Sequence, residues 1–297
     1  MGKPLVTDGA LAGEAVAHAR RTALSDWRLD GKITKFQIKK CFEINSSATI
    51  KQYELFLAPF SELEQKLLLK LKNTDPPIVS RTSVARLKGI FKQKALLSPR
   101  EALRRKLIAK AAVTPGSEDV LLGAFDCVFA TVGPWEGTPR YGKVLITLKD
   151  SVRNIGWATP WSGYSFLRWM RKKNPDNCAI NMDDRLLYLL FIISGKDWNL
   201  ALGYEAVVFL RAQKHINQQQ KDEIIKQLLG IKSQEKFWKF FLSKHYGKGP
   251  MGYLEAKFPN SLSTKYIKAI EVPAKDYKEI ISWPETKPFK GIIKIGK

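Results

Sequence analysis

At 297 residues and 33.7 kDa the chain is long enough for one large domain or two modest ones. With 44% hydrophobic and 11% aromatic residues it carries too much apolar surface to be a solvated tail. Fifty Lys and Arg against 28 Asp and Glu give a formal charge of +22, a self-repulsion that points to an anionic partner: nucleic acid, an anionic membrane surface or an acidic protein. The excess is uneven, because residues 1–75 hold 12 basic and 9 acidic side chains and residues 76–297 hold 38 and 19.

In chain order, apolar residues from Gly9 to about Leu71 recur at helical intervals, most clearly at Leu55, Phe56, Phe60, Leu63, Leu67 and Leu71, with Pro59 expected to end or kink the run. Asn73, Thr74, Asp75, Pro76 and Pro77 form the strongest breaker cluster, which predicts a domain boundary between a helical module (1–75) and the remainder (76–297). Beyond it the pattern predicts a strand over Ile78 to Ser83, a helix over Val84 to Leu97, and β-rich segments at Val120 to Val132 and Tyr141 to Leu148. Helices are expected over Phe166 to Lys173, Asp183 to Ile193, Asp222 to Leu229 and Phe237 to Phe241. A strand is expected over Glu205 to Arg211, and two closing strands over Leu254 to Phe258 and Ile267 to Val272. The fold class expected is α+β.

Two segments carry chemistry. The first ends a strand in Ser80, Arg81 and Thr82, and Thr82 or Ser83 can cap the helix that follows at once. Free N–H groups at such a helix start suit a phosphorylated ligand, although an ordinary capped helix reads the same way. The second is the run Gly252, Tyr253, Leu254, Glu255, Ala256, Lys257, Phe258, Pro259, continuing through Tyr266 and Ile267 to Val272. A glutamate opens its strand and a Pro-containing turn follows, though a glutamate at a strand end is also an ordinary surface residue.

Together these segments resemble the mono-ADP-ribosyltransferase family of toxins and effectors, enzymes that cleave NAD and transfer its ADP-ribose. The closing run is similar above all to the family's DNA-modifying members. The resemblance covers 78–273 in outline. It implies two packed β-sheets with helices and a cleft for NAD between them, with NAD as substrate and no metal. In many members the first strand carries His-x-Thr or a lone Arg. Here the histidine is absent, which leaves the Arg81 version, with Ser80, Arg81 and Thr82 as the NAD-holding residues. Glu255 is the implied catalytic glutamate and Tyr253 meets the acceptor. Glu205, after Tyr204 and before an apolar run, is the rival. Tyr141 and Ser162 fall where the family has its middle strands and nicotinamide-stacking aromatic, and the glycine-rich approach His245 to Gly252 occupies the place of its substrate-facing loop.

Basic clusters interleaved with aromatics, Arg100 with Arg104 to Lys106, Arg168 with Arg171, Lys172 and Lys173, and Lys244 with Lys248 and Lys257, suit phosphates and unpaired bases, so nucleic acid, RNA above all, is the expected partner. A protein acceptor and a cognate immunity protein are the other partners that a toxin or effector implies. Cys41, Cys127 and Cys178 with His18, His215 and His245 form no pair at metal-ligand or disulfide-framework spacing. The longest apolar run, Leu186 to Ile193, is too short to span a bilayer, and the N-terminus lacks a signal core. The expectation is a soluble protein acting in a cytoplasm, exported, if at all, without a cleaved signal peptide. A non-catalytic nucleic-acid-binding protein and a basic nuclease toxin are the alternatives. Asp183 and Asp184 are the adjacent acidic pair near a basic region that a nuclease could use, and they serve equally as a helix cap.

Overall fold

The computed structural model describes residues 46–108, 127–133, 141–160, 193–243 and 253–296, apart from positions 48, 52, 56 and 214. Described residues between 46 and 57 are helical, and the helix pattern resumes beyond Pro59 as α1, Glu62–Lys72. Ser61 starts α1 with a capping box: its hydroxyl accepts from the Glu64 N–H while the Glu64 carboxylate accepts from the Ser61 N–H. Asn73 closes it, and the breaker cluster leads into β1, Ile78–Thr82.

Ser83 caps α2, Val84–Gln93, which ends at Lys94 in the left-handed region. The residues after it, expected to extend the helix to Leu97, form a short strand instead, β2, Ala95–Leu97. Ser98 then caps α3, Pro99–Arg104. The strands β3, Cys127–Val132, β4, Val144–Leu148, β5, Trp157–Pro160, and β6, Ile193–Ser194, precede three helices: α4, Trp198–Ala212, α5, Gln218–Gly230, and α6, Gln234–Ser243. The chain closes with β7, Leu254–Pro259, β8, Ser261–Ser263, β9, Ile267–Val272, α7, Ala274–Ser282, and β10, Ile293–Ile295.

The described strands form one eight-stranded sheet, ordered β10-β9-β4-β1-β3-β7-β5-β6, and a two-stranded ribbon of β2 and β8. The large sheet is antiparallel throughout except where β10 lies parallel to β9. The protein is therefore α+β, with one large mixed sheet and one small one where two packed sheets were expected.

Strand alternation divides the large sheet into unlike faces. One face presents Ile78, Val128, Ala130, Val132, Val144, Ile146, Leu254, Ala256, Phe258 and Ile270, and all of them join a single core with Leu67 and Leu71 of α1, Leu87 and Phe91 of α2, and Trp198, Leu202 and Phe209 of α4. The breaker cluster thus ends a helix without separating two cores: α1 shares its core with the sheet. Residues 1–45, most of the expected N-terminal module, lie outside the described residues, as do the helix expected at 166–173 and all but the last residue of the one expected at 183–193, where Ile193 opens β6.

Glu205 to Arg211, expected as a strand, lies inside α4. This 15-residue helix is buried almost all round, with every residue from Ala201 to Leu210 buried. An apolar run enclosed on every side loses the polar face that would mark it as helical, so its sequence reads equally as a buried strand.

Candidate functional site

The second face of the large sheet is polar at its centre. Cross-strand register aligns Thr147 of β4, Val79 of β1, Thr131 of β3, Glu255 of β7 and Thr159 of β5 in one row, since Val79 pairs with Thr147 and Thr131, and Glu255 pairs with Thr131 and Thr159. Paired residues of antiparallel strands point to the same side. Glu255 is therefore flanked by two threonines, both buried, while its own side chain keeps 19% exposure.

Arg81 and Lys257 each stand two residues beyond this row, on β1 and β7. Both strands run antiparallel to the β3 that separates them, so they run the same way and both side chains lie on the Glu255 face. At the usual strand spacing and rise, Arg81 and Glu255 are about 12 Å apart between Cα atoms. The Arg81 guanidinium donates to the Gly142 carbonyl at 3.2 Å, in the turn that leads into β4, next to Tyr141, which is 51% exposed. Gly142 has φ +137°, and a Cβ there would sit 2.2 Å from the Thr82 carbonyl oxygen, so glycine is what lets this turn approach β1.

Lys257, expected with Lys244 and Lys248 on a basic phosphate-binding surface, is buried instead. Its side chain is 1% exposed, and its Nζ lies 3.3 Å from Glu255 Oε1 and donates to Thr159 Oγ1 at 3.2 Å, with the Phe129 ring centroid 5.7 Å away. A buried ammonium is costly unless paired and hydrogen-bonded, and here both conditions are met by groups on the same face. The signal was present: Glu255 and Lys257 are i and i+2 on one strand, which puts an acid and a base side by side.

The other sequence-derived candidates distribute as follows. Ser80 and Thr82 pair with Ile146 and Val144 and point to the opposite, core-side face, so the expected Ser80, Arg81 and Thr82 cradle does not converge; Arg81 bonds the carbonyl of Gly142, the residue after Tyr141. Tyr253 precedes β7 and packs against the cluster of Leu57, Tyr204, Val207 and Val208. Glu205 lies in the middle of α4 at 1% exposure, and its carboxylate accepts from the Tyr53 hydroxyl; burial first, and then the Glu205 charge, push the Tyr53 phenol well above its ordinary range. Its setting is a buried interhelical contact, and the row of Glu255 is on the sheet. Ser162, Arg171, Lys172, Lys173 and Lys248 lie outside the described residues, as does the glycine-rich approach to Gly252.

The arrangement offers a carboxylate held by a buried cation, two threonine hydroxyls beside it, and a guanidinium across the same face. Such a set can bind an anionic group at Arg81 while placing negative charge against a cation that develops near Glu255. Among the described residues no group of three His, Cys, Asp or Glu side chains could hold a metal ion, and no described helix is long and apolar enough to cross a membrane. Compared with known proteins, the chain matches no family model and no curated protein.

Proposed function

We propose that the protein is an NAD-dependent mono-ADP-ribosyltransferase of the toxin or effector type, acting on a macromolecular acceptor. The observation that carries the reading is that Arg81 and Glu255, which come from the two segments where the sequence resembles that family, share the polar face of the central sheet, two strands apart. In this reading Arg81 binds the pyrophosphate of NAD, and Glu255 faces the nicotinamide ribose. The bond between the ribose anomeric carbon and the nicotinamide nitrogen breaks, its electron pair leaving with neutral nicotinamide. The Glu255 carboxylate stabilises the sugar cation that remains. An acceptor oxygen or nitrogen, or water in its absence, then bonds to that carbon and loses its proton to solvent or to Glu255. Lys257, which also donates to Thr159, pairs with the carboxylate from two residues along the strand, so that little reorganisation is needed as charge develops. Nucleic acid, RNA above all, suits the charge of the chain as acceptor; a protein acceptor, and an immunity protein that neutralises the enzyme, belong to the same reading.

The test is NAD cleavage by the purified protein. Glu255→Gln keeps the shape and removes the charge, and should lower turnover per folded protein by about 100-fold or more, the usual cost of losing one preorganised electrostatic contact; it should also lower the melting temperature, because the buried Lys257 ammonium loses its counter-charge. Glu205→Gln should keep its activity in whatever fraction stays folded. Wild-type protein that leaves NAD intact with RNA, DNA and total protein supplied as acceptors would end the transferase reading.

A further inference from the structure

The most strongly one-signed surface among the described residues lies away from the Glu255 row. Residues 84–106, spanning α2, β2 and α3, contain eight Lys and Arg and one acid, Glu101. That acid is already engaged: Arg104 holds it through two bonds of 2.7 Å and Arg105 through one. The other exposed cations make a basic ridge: Arg86, Lys88 and Lys92 on α2, Lys94 just after it and Lys106 after α3, with Arg105, which also bonds Glu101, reaching back to Gln93 at 2.9 Å. Lys265 extends the ridge, because the Thr264 N–H bonds to the Lys94 carbonyl at 3.0 Å.

Gly89 sits in the middle of the ridge. It is exposed, one helical turn from both Arg86 and Lys92, and a Cβ added to it would meet nothing within 4 Å. Glycine inside a helix costs roughly 0.5–1 kcal/mol relative to alanine, and no packing in the fold requires it here. What the missing side chain provides is a low point, flanked by cations, where a bulky anionic chain can lie close to the helix backbone.

The chemistry of the ridge selects among anionic partners. The apolar side of α2, Leu87 and Phe91, is sealed in the core, with Phe91 stacked on Phe289 at 4.8 Å, so α2 has no apolar face to insert into a lipid surface. A protein interface needs a central apolar or aromatic anchor, and the exposed positions of α2 are Ala85, Arg86, Lys88, Gly89 and Lys92; the nearby Trp283 ring is half-buried with Lys88 Nζ over it at 5.6 Å, and Leu107 and Ile108 are exposed only at the margin. A chain of regularly spaced phosphates needs neither.

We propose that the ridge formed by α2 and α3 is a docking surface for the phosphate backbone of a nucleic-acid strand, separate from the polar face that carries Glu255. The binding claim stands without the transferase reading. Only the further statement that the docked strand is the acceptor rests on it, and α2 begins three residues after Arg81, so a strand on the ridge is led toward that end of the sheet.

The experiment measures binding of labelled single-stranded RNA and DNA of about 20 nucleotides to the full chain as salt is varied, without NAD. The triple variant Arg86→Ala, Lys92→Ala, Lys106→Ala removes three exposed cations of the ridge. It should bind both strands at least about tenfold more weakly near 100 mM salt, with the slope of log affinity against log salt smaller by about 2, three phosphate contacts at about 0.7 each. Wild-type affinity and slope in a variant with an unchanged melting temperature would overturn the proposal. So would tighter binding by the wild type to polyglutamate or to phosphatidylserine vesicles than to RNA. NAD cleavage with water as acceptor is measured alongside. Its absence in the wild type counts against the transferase and leaves the docking result standing, and its retention in the triple variant places the loss in docking.

Discussion

Lys257 shows how much of this protein depends on a single side chain whose surroundings come from three strands. Its ammonium joins Glu255 of the same strand to Thr159 of the next, at 1% exposure, so removing it leaves a carboxylate and a hydroxyl without that partner. Lys257→Met keeps the length of the side chain and removes the charge. It should destabilise the fold by about 1–3 kcal/mol, less than the loss of a fully buried pair because Glu255 is partly exposed. If Glu255 faces the sugar cation, the same change should slow NAD turnover by about 10- to 100-fold with little effect on KM, since the loss acts on the positioning of the carboxylate rather than on NAD binding. Urea unfolding and steady-state kinetics on one preparation separate the two effects. A variant destabilised as expected but with wild-type turnover would leave Lys257 a structural residue only. Lys257 and Glu255 were legible in the sequence as neighbours on one strand face, whereas Thr159 was not, because its place beside them is set by β5 pairing with β7 across nearly a hundred residues.

Among the elements, strand composition and one helix cap were readable from local sequence. The cap at Ser83 was read from sequence, whereas Ser61 and Ser98, which accept from a backbone N–H three residues on in the same way, were not, because the starts of their helices were not marked out. The apolar run in α4 was not readable, because burial on all sides erases helical periodicity. Nor was β2 readable, because a left-handed residue at Lys94 turns what reads as a continuing helix into a strand paired with β8. Two glycines give opposite predictions. Gly142→Ala forces a side chain into φ +137° and against the Thr82 backbone, and should cost more than about 2 kcal/mol of stability. Gly89→Ala meets open space in a helix interior and should raise stability by about 0.5–1 kcal/mol. Thermal unfolding of both variants checks the contrast, and a destabilised Gly89→Ala would mean that α2 needs its glycine for a reason within the fold.

At the scale of the whole molecule, charge governs the response to acid and salt. Glu101 is held near pKa 2, below its ordinary 4.5, mainly by its hydrogen bond to Arg104 and further by Arg105. Glu64 is also lowered: burial pushes its carboxyl up, but the bonds from Arg211 and the Ser61 N–H outweigh that. Depressed carboxyls contribute stability that is present above their unfolded values, near 4.5, and lost as pH falls through their folded values. Stability should therefore decline between about pH 4.5 and 2, while protonation adds to a chain that already carries +22. Glu101→Gln should be less stable than the wild type at pH 6 and lose less on acidification, as urea midpoints across this range would show; parallel declines in the two proteins would mean that the Arg104 and Arg105 contacts contribute little.

The sequence by itself determined the composition of the protein and its local grammar: a folded α+β chain, strongly basic beyond its first quarter, with a capped helix start at Thr82 or Ser83 and strands expected over 78–83, 120–132, 141–148, 254–258 and 267–272, which fall on β1, β3, β4, β7 and β9. These follow from propensities and periodicities that act over a few residues. Tertiary structure decided what meets what. It placed α1 on the same core as the sheet where the prolines suggested a boundary, and it joined the strands into one large sheet. It turned Ser80 and Thr82 away from Arg81 and set Arg81, Glu255 and Lys257 on one face. Strand order and register are set by long-range pairing and by the faces that must be buried, and no window of local sequence carries that information.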